Sequence, residues 1–575
     1  MTPEADVQAS FAAVLVDEWV RAGTTDAVVS PGSRSTPMLM ALASDGRIRL
    51  HVVLDERSAG FVALGFGAAT GRPAPVVTTS GTAAVELHPA VVEADLAGVP
   101  LLVVTADRPP ELHHVGAPQT VEQAGCFGSA PRLSLDPGVP TAATAGGWRP
   151  LAGRALAVAT DGPLGPGPVH LNLAFREPLV GRVEAALGPP REGARAWSEA
   201  IRPVPDEVDA PVLRALVMRR AEAGVIVAGA GAGDPQLVLD VASALGWPVL
   251  ADPRSGVRVP HQRVVAAADA LVRGGPVAAW EPTAVLRLGR PWASKVLAQW
   301  LARPRTDLVD VLVDPTGRWS DPDRRVTHVI SGDPVGVCRA LLARAGDGGH
   351  VASRWAARWG RAEEVAQRAI DEVLGGPELS EPGIARRVLA AVPDGSVVVA
   401  SSSMPIRDLE WFGQPRTGVT VHSNRGANGI DGVISTTIGV ALSGVPTVGL
   451  LGDLAFLYDA GALLWAAGRS IDCTLVVIDN CGGGIFSFLP QASALEPERF
   501  EAYWGTPHGL DLLSVARSYG VEAEKVGDLD ALVAAVARPG PGLRVVVART
   551  DRKANVEIHD RLNAAVVDAL ISHST

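Results

Sequence analysis

Cysteine is scarce. Only Cys126, Cys338, Cys473 and Cys481 occur in 575 residues, and no two of them form a C-x-x-C pattern. A disulfide framework is therefore not expected, and the chain fits a reducing compartment. Surplus positive charge is missing as well: the formal net charge is −11, with no basic stripe along the sequence. A surface that tracks nucleic-acid phosphates needs such a stripe, so no nucleic-acid partner is expected, while locally concentrated arginines can still hold a small anion. The N-terminus carries Glu4 and Asp6 where a signal peptide has basic residues ahead of an apolar core. The longest uncharged run, 432–452, is long enough by count to span a membrane. It contains Ser435, Thr436, Thr437, Ser443 and Pro446 and divides into a helix and a strand, so no membrane span is expected. These absences leave a cytoplasmic enzyme.

Core-forming residues are plentiful at 47%, and the length suits three or four domains. The chain is organised around residues 449–490. The uncharged run 445–452 reads as a buried strand reaching Asp453, residues 454–468 have helical spacing, and Cys473 to Ile478 is strand-like again. A β-α-β crossover makes its strands parallel, so Asp453 and Asn480 should stand side by side at one sheet edge. A carboxylate, an amide oxygen and the carbonyls of Gly482-Gly483-Gly484 are hard oxygen ligands, too few for a calcium cage. Mg²⁺ takes one or two such groups and completes its octahedron with phosphate oxygens and water. A helix from about Ile485 would aim its positive N-terminus at the same place. The stretch resembles the thiamin diphosphate enzymes, whose signature is Gly-Asp-Gly, some two dozen residues, then Asn-Asn. Here it reads Gly452-Asp453-Leu454 and Asp479-Asn480; the third glycine and first asparagine are replaced, and the interval of 27 from Asp453 to Asn480 is kept.

Strand and helix patterns alternate through residues 1–180, predicting an N-terminal doubly wound α/β domain. An Arg-, Gly- and Pro-rich linker follows over 181–205. A central Rossmann-like α/β domain is expected over 206–345. Its Gly229-Ala-Gly231-Ala-Gly233 is spaced G-x-G-x-G rather than G-x-G-x-x-G, which favours close helix–strand packing over nucleotide binding. A break at 346–349 and a bridging helix over 352–374 lead to a third α/β domain, 377–575. The fold class expected is α/β, with three doubly wound parallel-sheet domains of the thiamin diphosphate-binding type. The first would bind the pyrimidine and the last the diphosphate and metal. The likeness of the outer two suggests duplication.

Thiamin diphosphate reacts only when its aminopyrimidine helps remove the thiazolium C2 proton. That needs a carboxyl group at the ring nitrogen, in an apolar site where burial raises its pKa and keeps the shared proton. Glu56 qualifies, at a strand end before a nearly uncharged, small-residue helix. A surface ion-pair cluster is the plainer reading of Asp55-Glu56-Arg57, and the metal motif outweighs it. Five further strings occur in order: Ser30-Pro-Gly-Ser-Arg-Ser-Thr-Pro37, Leu54-Asp-Glu-Arg57, Thr105-Ala-Asp-Arg-Pro-Pro-Glu-Leu112, Ser423-Asn-Arg-Gly-Ala-Asn-Gly-Ile-Asp-Gly432 and Gly484-Ile-Phe-Ser-Phe-Leu-Pro490. Together they resemble the MenD family, the 2-succinyl-5-enolpyruvyl-6-hydroxy-3-cyclohexene-1-carboxylate synthases of menaquinone biosynthesis.

The resemblance implies a transferase that decarboxylates 2-oxoglutarate on thiamin diphosphate, with Mg²⁺ or alternatively Mn²⁺, and adds the succinyl-semialdehyde carbanion to isochorismate. Both substrates carry two carboxylates, which suit arginine's planar fork. By the same resemblance Glu56, Gln119, Ser403, Arg407 and Arg425 are catalytic. Ser33, Arg34, Arg108 and Lys295, with Gln119, would face isochorismate, and Ser403, Arg407 and Arg425 the oxoacid. Ile430 would prop the cofactor in its bent shape, and Ile485, Phe486 and Leu489 would form the apolar wall beside the reacting carbon. Gly452, Asp453 and Asn480 would hold the cofactor, with Asp453, Asn480 and Gly482 as metal ligands. In resembling enzymes Glu56 and the metal site meet across a subunit interface, so a homodimer or homotetramer with shared sites is expected.

Three departures stand out. Gly116-Ala117-Pro118-Gln119 has proline where the family often has asparagine, which stiffens the loop. Ala455 replaces a usual hydroxyl residue, and Arg290 near Pro291-Trp292 is a further substrate candidate. His113-His114 leaves open a simple 2-oxoacid decarboxylase or acetolactate-type synthase, because such a pair protonates the carbanion instead of adding it to an acceptor. A nucleotide-binding oxidoreductase or regulatory protein using Gly229 to Gly233 is the reading from another class.

Overall fold

The computed structural model of the chain describes residues 3–573 apart from 185, 192, 194, 199–210, 291, 347–350 and 539. The end of the expected linker, the start of the central domain and most of the break at 346–349 thus lie outside the described residues. Strands form where aliphatic residues run almost uninterrupted: every residue of Leu101–Asp107 is buried. Burial on both faces is what a parallel sheet between two helical layers requires.

Three six-stranded sheets result. The first holds β1 (Asp26–Val29), β2 (Arg49–Val52), β3 (Pro75–Thr78), β4 (Leu101–Asp107), β5 (Leu133–Leu135) and β6 (Pro168–Ala174), in the order β2-β1-β3-β4-β6-β5. The second holds β7 (Gly224–Ala228), β8 (Val249–Ala251), β9 (Val264–Val265), β10 (Ala284–Leu288), β11 (Val309–Val313) and β12 (His328–Ile330). Its order, β9-β8-β7-β10-β11-β12, is the Rossmann order. The third holds β13 (Val397–Ala400), β14 (Thr420–His422), β15 (Thr447–Gly452), β16 (Asp472–Asp479), β17 (Glu522–Val526) and β18 (Gly542–Arg549). Its order, β14-β13-β15-β16-β18-β17, repeats that of the first sheet strand for strand. Pairing within the sheets is parallel.

One core joins the outer units: Phe61, Leu64 and Phe66 pack with Ile434, Ile438, Leu451 and Phe456. Helices Glu56–Thr70 and Val433–Ala441 cross here so closely that a Cβ on Gly65 would lie 2.1 Å from the Thr436 carbonyl oxygen. The bridging helix Arg354–Leu374 and the last helix Arg552–Ser572 share another core with the central sheet, centred on Trp300, Trp359, Leu562 and Val566. Packing also explains Gly229, where a Cβ would lie 1.7 Å from the Arg290 carbonyl oxygen.

Two expected helices differ. Residues 454–468 form the helix Asp453–Tyr458, a 3₁₀ turn Ala460–Ala462 and the helix Leu463–Ala466. The break falls at Asp459, whose buried carboxylate accepts the Ser435 N–H (2.7 Å) and Oγ–H (3.0 Å). The helix expected from Ile485 is one 3₁₀ turn, Gly484–Phe488, ended by extended Leu489 ahead of Pro490. No long helix therefore directs its dipole at the glycine loop from that side.

Candidate active site

β15 and β16 pair in register from Thr447↔Cys473 to Gly452↔Ile478, so both chains leave the sheet at the same edge. Asp453 follows one strand and Asn480 the other. The Asp453 Oδ2 accepts the Gly482 N–H (2.8 Å) and lies 3.2 Å from His508 Nε2. His508 Nδ1 accepts the Leu510 N–H (3.0 Å), which leaves the proton on Nε2 to donate to Asp453. Burial pushes the Asp453 carboxyl up, opposed by these donors. Asn480 donates its amide N–H to Glu381 Oε1 (2.8 Å), and its Oδ1 is buried without a partner. Gly482 has φ +139°, and a Cβ there would lie 2.0 Å from the Gly505 carbonyl oxygen, so the loop needs glycine. A carboxylate, an orphaned amide oxygen and a loop carbonyl at one edge are a donor set that fits Mg²⁺.

A cavity of about 300 Å³ opens on Asp453, Asn480 and Gly482 and is also lined by Glu381, Ser403, Arg407, Arg425, Gly452, Ile430, Ile485 and Phe486. Ser403 is held at φ +76° as the residue before helix Met404–Phe412, a conformation that non-glycine residues keep only under constraint. Arg407 donates to the Ser403 carbonyl at 2.5 Å. Burial lowers the Arg407 pKa, and burial with Arg254 and Arg407 nearby brings Arg425 down to about 10. Both stay charged at neutral pH, and desolvated cations facing one cavity favour an anion between them. A larger cavity of about 1200 Å³ shares Met404, Arg407 and Ile485 with the first and adds Lys295 and Leu489.

The remaining candidates gather on the first sheet. Asp55 caps the helix Glu56–Thr70 by accepting the Ser58 N–H (3.0 Å). Arg57 turns away to the Tyr458 carbonyl (3.1 Å) and Asp459 (3.7 Å), so the ion-pair reading of Asp55-Glu56-Arg57 does not extend to Glu56. Burial, with Asp55 and Glu86 adding negative charge, raises the Glu56 pKa. Arg108 and Gln119 converge on the loop after β3, Arg108 donating to Ser80 Oγ and Gln119 Nε2 to the Ser80 carbonyl (2.9 Å). Arg34 meets that loop through its backbone N–H to Thr79 Oγ1 (3.3 Å), while its guanidinium donates to the Phe175 carbonyl (2.9 Å) and Glu177 (3.2 Å). Ser33, on the exposed turn before Arg34, accepts the Thr36 Oγ1–H through its carbonyl (2.6 Å). Within one chain neither Glu56 nor this arginine group lines the cavity around Asp453. Lys295 lines the larger cavity together with Arg407; Arg34 and Arg108 do not. Arg290 donates from Nη1 to the Ala97 carbonyl at the end of helix His88–Ala97 and lines neither cavity.

Sequence reading missed Glu381, His508 and Glu93. Glu93 accepts the N–H groups of Gly426 (2.7 Å) and Ala427 (2.6 Å), fixing the loop between Arg425 and Ile430. A lone acid in the otherwise apolar run His88-Pro-Ala-Val-Val-Glu-Ala is a signal that was available. Glu381 looks like an ordinary helix-start acid behind the cap Ser380, and His508 lies in a Gly/Pro-rich turn. Neither position carries a spacing rule that ties it to Asp453.

Three family models match in succession. They are the N-terminal TPP binding domain of thiamine pyrophosphate enzymes over residues 9–126, the middle domain of thiamine pyrophosphate enzymes over 194–398, and the C-terminal TPP binding domain over 399–546. The chain is 43% identical to a 2-succinyl-5-enolpyruvyl-6-hydroxy-3-cyclohexene-1-carboxylate synthase of Thermobifida fusca, over 98% of this chain and 99% of the relative. It is 41% identical to the synthase of that name from Myxococcus xanthus, over 99% of each chain. For the one from Bacillus cytotoxicus the identity is 35%, over 97% and 96%. The chain therefore belongs to the 2-succinyl-5-enolpyruvyl-6-hydroxy-3-cyclohexene-1-carboxylate synthase family, within the thiamin diphosphate-dependent enzymes.

Proposed function

We propose that the protein joins the four-carbon unit left after decarboxylation of 2-oxoglutarate to isochorismate, a step of menaquinone biosynthesis, in the cytoplasm. The observation that carries this reading is the convergence of Ser403, Arg407 and Arg425 with Asp453, Asn480 and Ile430 on one cavity. Thiamin diphosphate, when bound, supplies the nucleophilic carbon and the electron sink for decarboxylation. Asp453, Asn480 and the Gly482 carbonyl would hold Mg²⁺ against the diphosphate, and Ile430 would support the rings.

Glu56 would share a proton with the pyrimidine nitrogen; its burial beside Asp55 and Glu86 favours the protonated form. Arg407 and Arg425 would pair with the carboxylates of 2-oxoglutarate, and Ile485, Phe486 and Leu489 would keep water from the reacting carbon, where dispersing charge is favoured in a dry site. Ser33, Arg34, Arg108, Gln119 and Lys295 would bind and orient isochorismate.

Two copies complete the site in this reading. Glu56 does not line its own chain's metal cavity, and Val52 and Leu54 beside it are 46% and 66% exposed, an apolar rim suited to a partner subunit. A homodimer, or a tetramer built from it, follows. The decarboxylase alternative depends on His113 and His114. His113 Nε2 lies 3.1 Å from the Arg108 carbonyl, and neither histidine lines the cavity around Asp453.

The test follows CO₂ release and isochorismate absorbance with purified protein, thiamin diphosphate, Mg²⁺ and 2-oxoglutarate. Isochorismate loss equal to CO₂ release, mole for mole, is expected; CO₂ release with isochorismate untouched would replace the synthase by a decarboxylase.

A further inference from the structure

Glu381 lies 2% exposed against the floor of the cavity, on the first turn of helix Glu381–Ala391. Its Oε1 accepts the Asn480 amide N–H (2.8 Å) and also the Thr550 Oγ–H (3.3 Å). An asparagine amide has two ends of nearly equal shape and opposite polarity: the carbonyl oxygen attracts a cation and the NH₂ repels it. Nothing in the β15–β16 register selects between the two ends. Gly484 leaves both open, because a Cβ there would lie 2.6 Å from Asn480 Nδ2 and would crowd the amide. In its ionised form the Glu381 carboxyl can only accept, so it takes the NH₂ end and turns Oδ1 toward the cavity, where that oxygen is buried and unpartnered.

We propose that Glu381 is a positioning residue that sets the Asn480 amide so that its oxygen, and not its nitrogen, faces the divalent cation; this rests on reading Asp453, Asn480 and Gly482 as the metal site. Partners of this kind behind metal ligands typically contribute about 10–100-fold in metal affinity.

The test measures Mn²⁺ affinity in the presence of thiamin diphosphate from the electron paramagnetic resonance signal of free Mn²⁺, with no turnover needed. Glu381→Met, which removes the acceptor and keeps the bulk, should weaken Mn²⁺ binding about tenfold or more. Glu381→Gln, whose carbonyl still accepts the amide N–H, should stay within about threefold of wild type. Measured above about pH 8, where the Glu381 carboxyl that burial pushes up to about 7 is ionised, Asn480→Asp alone should bind weakly, because two carboxylates then face each other. Asn480→Asp combined with Glu381→Met should regain affinity over either single change, since a carboxylate offers an oxygen from both ends. General structural damage would add up in the double variant instead.

Glu381→Met with wild-type affinity, or a double variant no tighter than its singles, would overturn the proposal. Should Glu381→Met fail to fold, Glu381→Gln in the Asn480→Asp background decides, because a Gln N–H can bond the new carboxylate; affinity no tighter than Asn480→Asp alone would overturn it equally. Asp453→Ala separates the two failures. If it leaves Mn²⁺ binding intact, the site reading itself falls and the proposal with it. If Asp453→Ala abolishes binding while Glu381→Met does not change it, only the role of Glu381 falls.

Discussion

Glu56 and Arg407 show how one environment serves opposite ends. Each side chain is partly buried, and burial favours the neutral form of both, raising the acid and lowering the base. The shift suits a carboxyl that must keep a proton, whereas Arg407 starts so high that it stays a cation. Glu56→Gln keeps the shape and loses the transferable proton. Turnover should fall on the order of 10²-fold or more, while cofactor affinity measured by calorimetry stays close to wild type. Normal turnover would remove Glu56 from the mechanism. Arg407→Ala deletes a charged donor with a free energy of about 1.5–3 kcal/mol, which should raise the KM for 2-oxoglutarate about 10–100-fold. An unchanged dependence on 2-oxoglutarate concentration would refute its assignment.

Elements meet at distances that only particular residues allow. The crossing of helices Glu56–Thr70 and Val433–Ala441 is one example, because the atom a Gly65 Cβ would strike is a backbone oxygen and cannot rotate aside. Gly65→Ala gains about 1 kcal/mol in helix propensity. Against that stands the separation of two packed helices, about 1–3 kcal/mol for overpacking a core. The contact should win, giving a lower denaturant midpoint at unchanged m-value; a midpoint at or above wild type would show that the crossing is looser. This helix begins at Glu56, so the crossing also sets where Glu56 stands relative to the sheet edge.

At the scale of the molecule, the first and third sheets share one strand order, so each presents a functional loop cluster beyond the C-terminal ends of its strands. In one chain those clusters do not meet around Asp453. Chains carrying Glu56→Gln and chains carrying Asp453→Ala, each inactive alone, should therefore regain activity when mixed under conditions that exchange subunits. No recovery despite demonstrated exchange would exclude the shared site. Buried acids between elements add a pH signature. Burial, reinforced by Asp252, pushes Glu410 up to about 8, and burial pushes Asp459 up to about 6. Raised carboxyls stabilise the fold below their unfolded pKa, near 4.5 for Glu410, and lose that contribution as pH climbs through the folded value. Stability should decline between about pH 5 and 9, and Glu410→Gln should flatten the upper part of that decline in thermal melts. A slope unaffected by the substitution would assign the effect to other groups.

The order of the elements, the parallel sheets and the adjacency of Asp453 and Asn480 were determined by the sequence, because aliphatic runs and a β-α-β crossover leave one arrangement of strand ends. Family strings carried the arginine candidates without fixing their grouping. What tertiary structure alone decided concerns side chains whose partners lie far along the chain. Asp459, where the helical run is interrupted, accepts two donors from Ser435, Arg290 donates to the Ala97 carbonyl, and Lys295 lines a cavity that includes Arg407 and not Arg34. Glu381 reaches Asn480 across 99 residues and His508 reaches Asp453 across 55. Local periodicity reports which face of an element is buried; it carries no record of which distant donor or acceptor will be waiting there, and in a low-dielectric interior that pairing determines what each polar group can do.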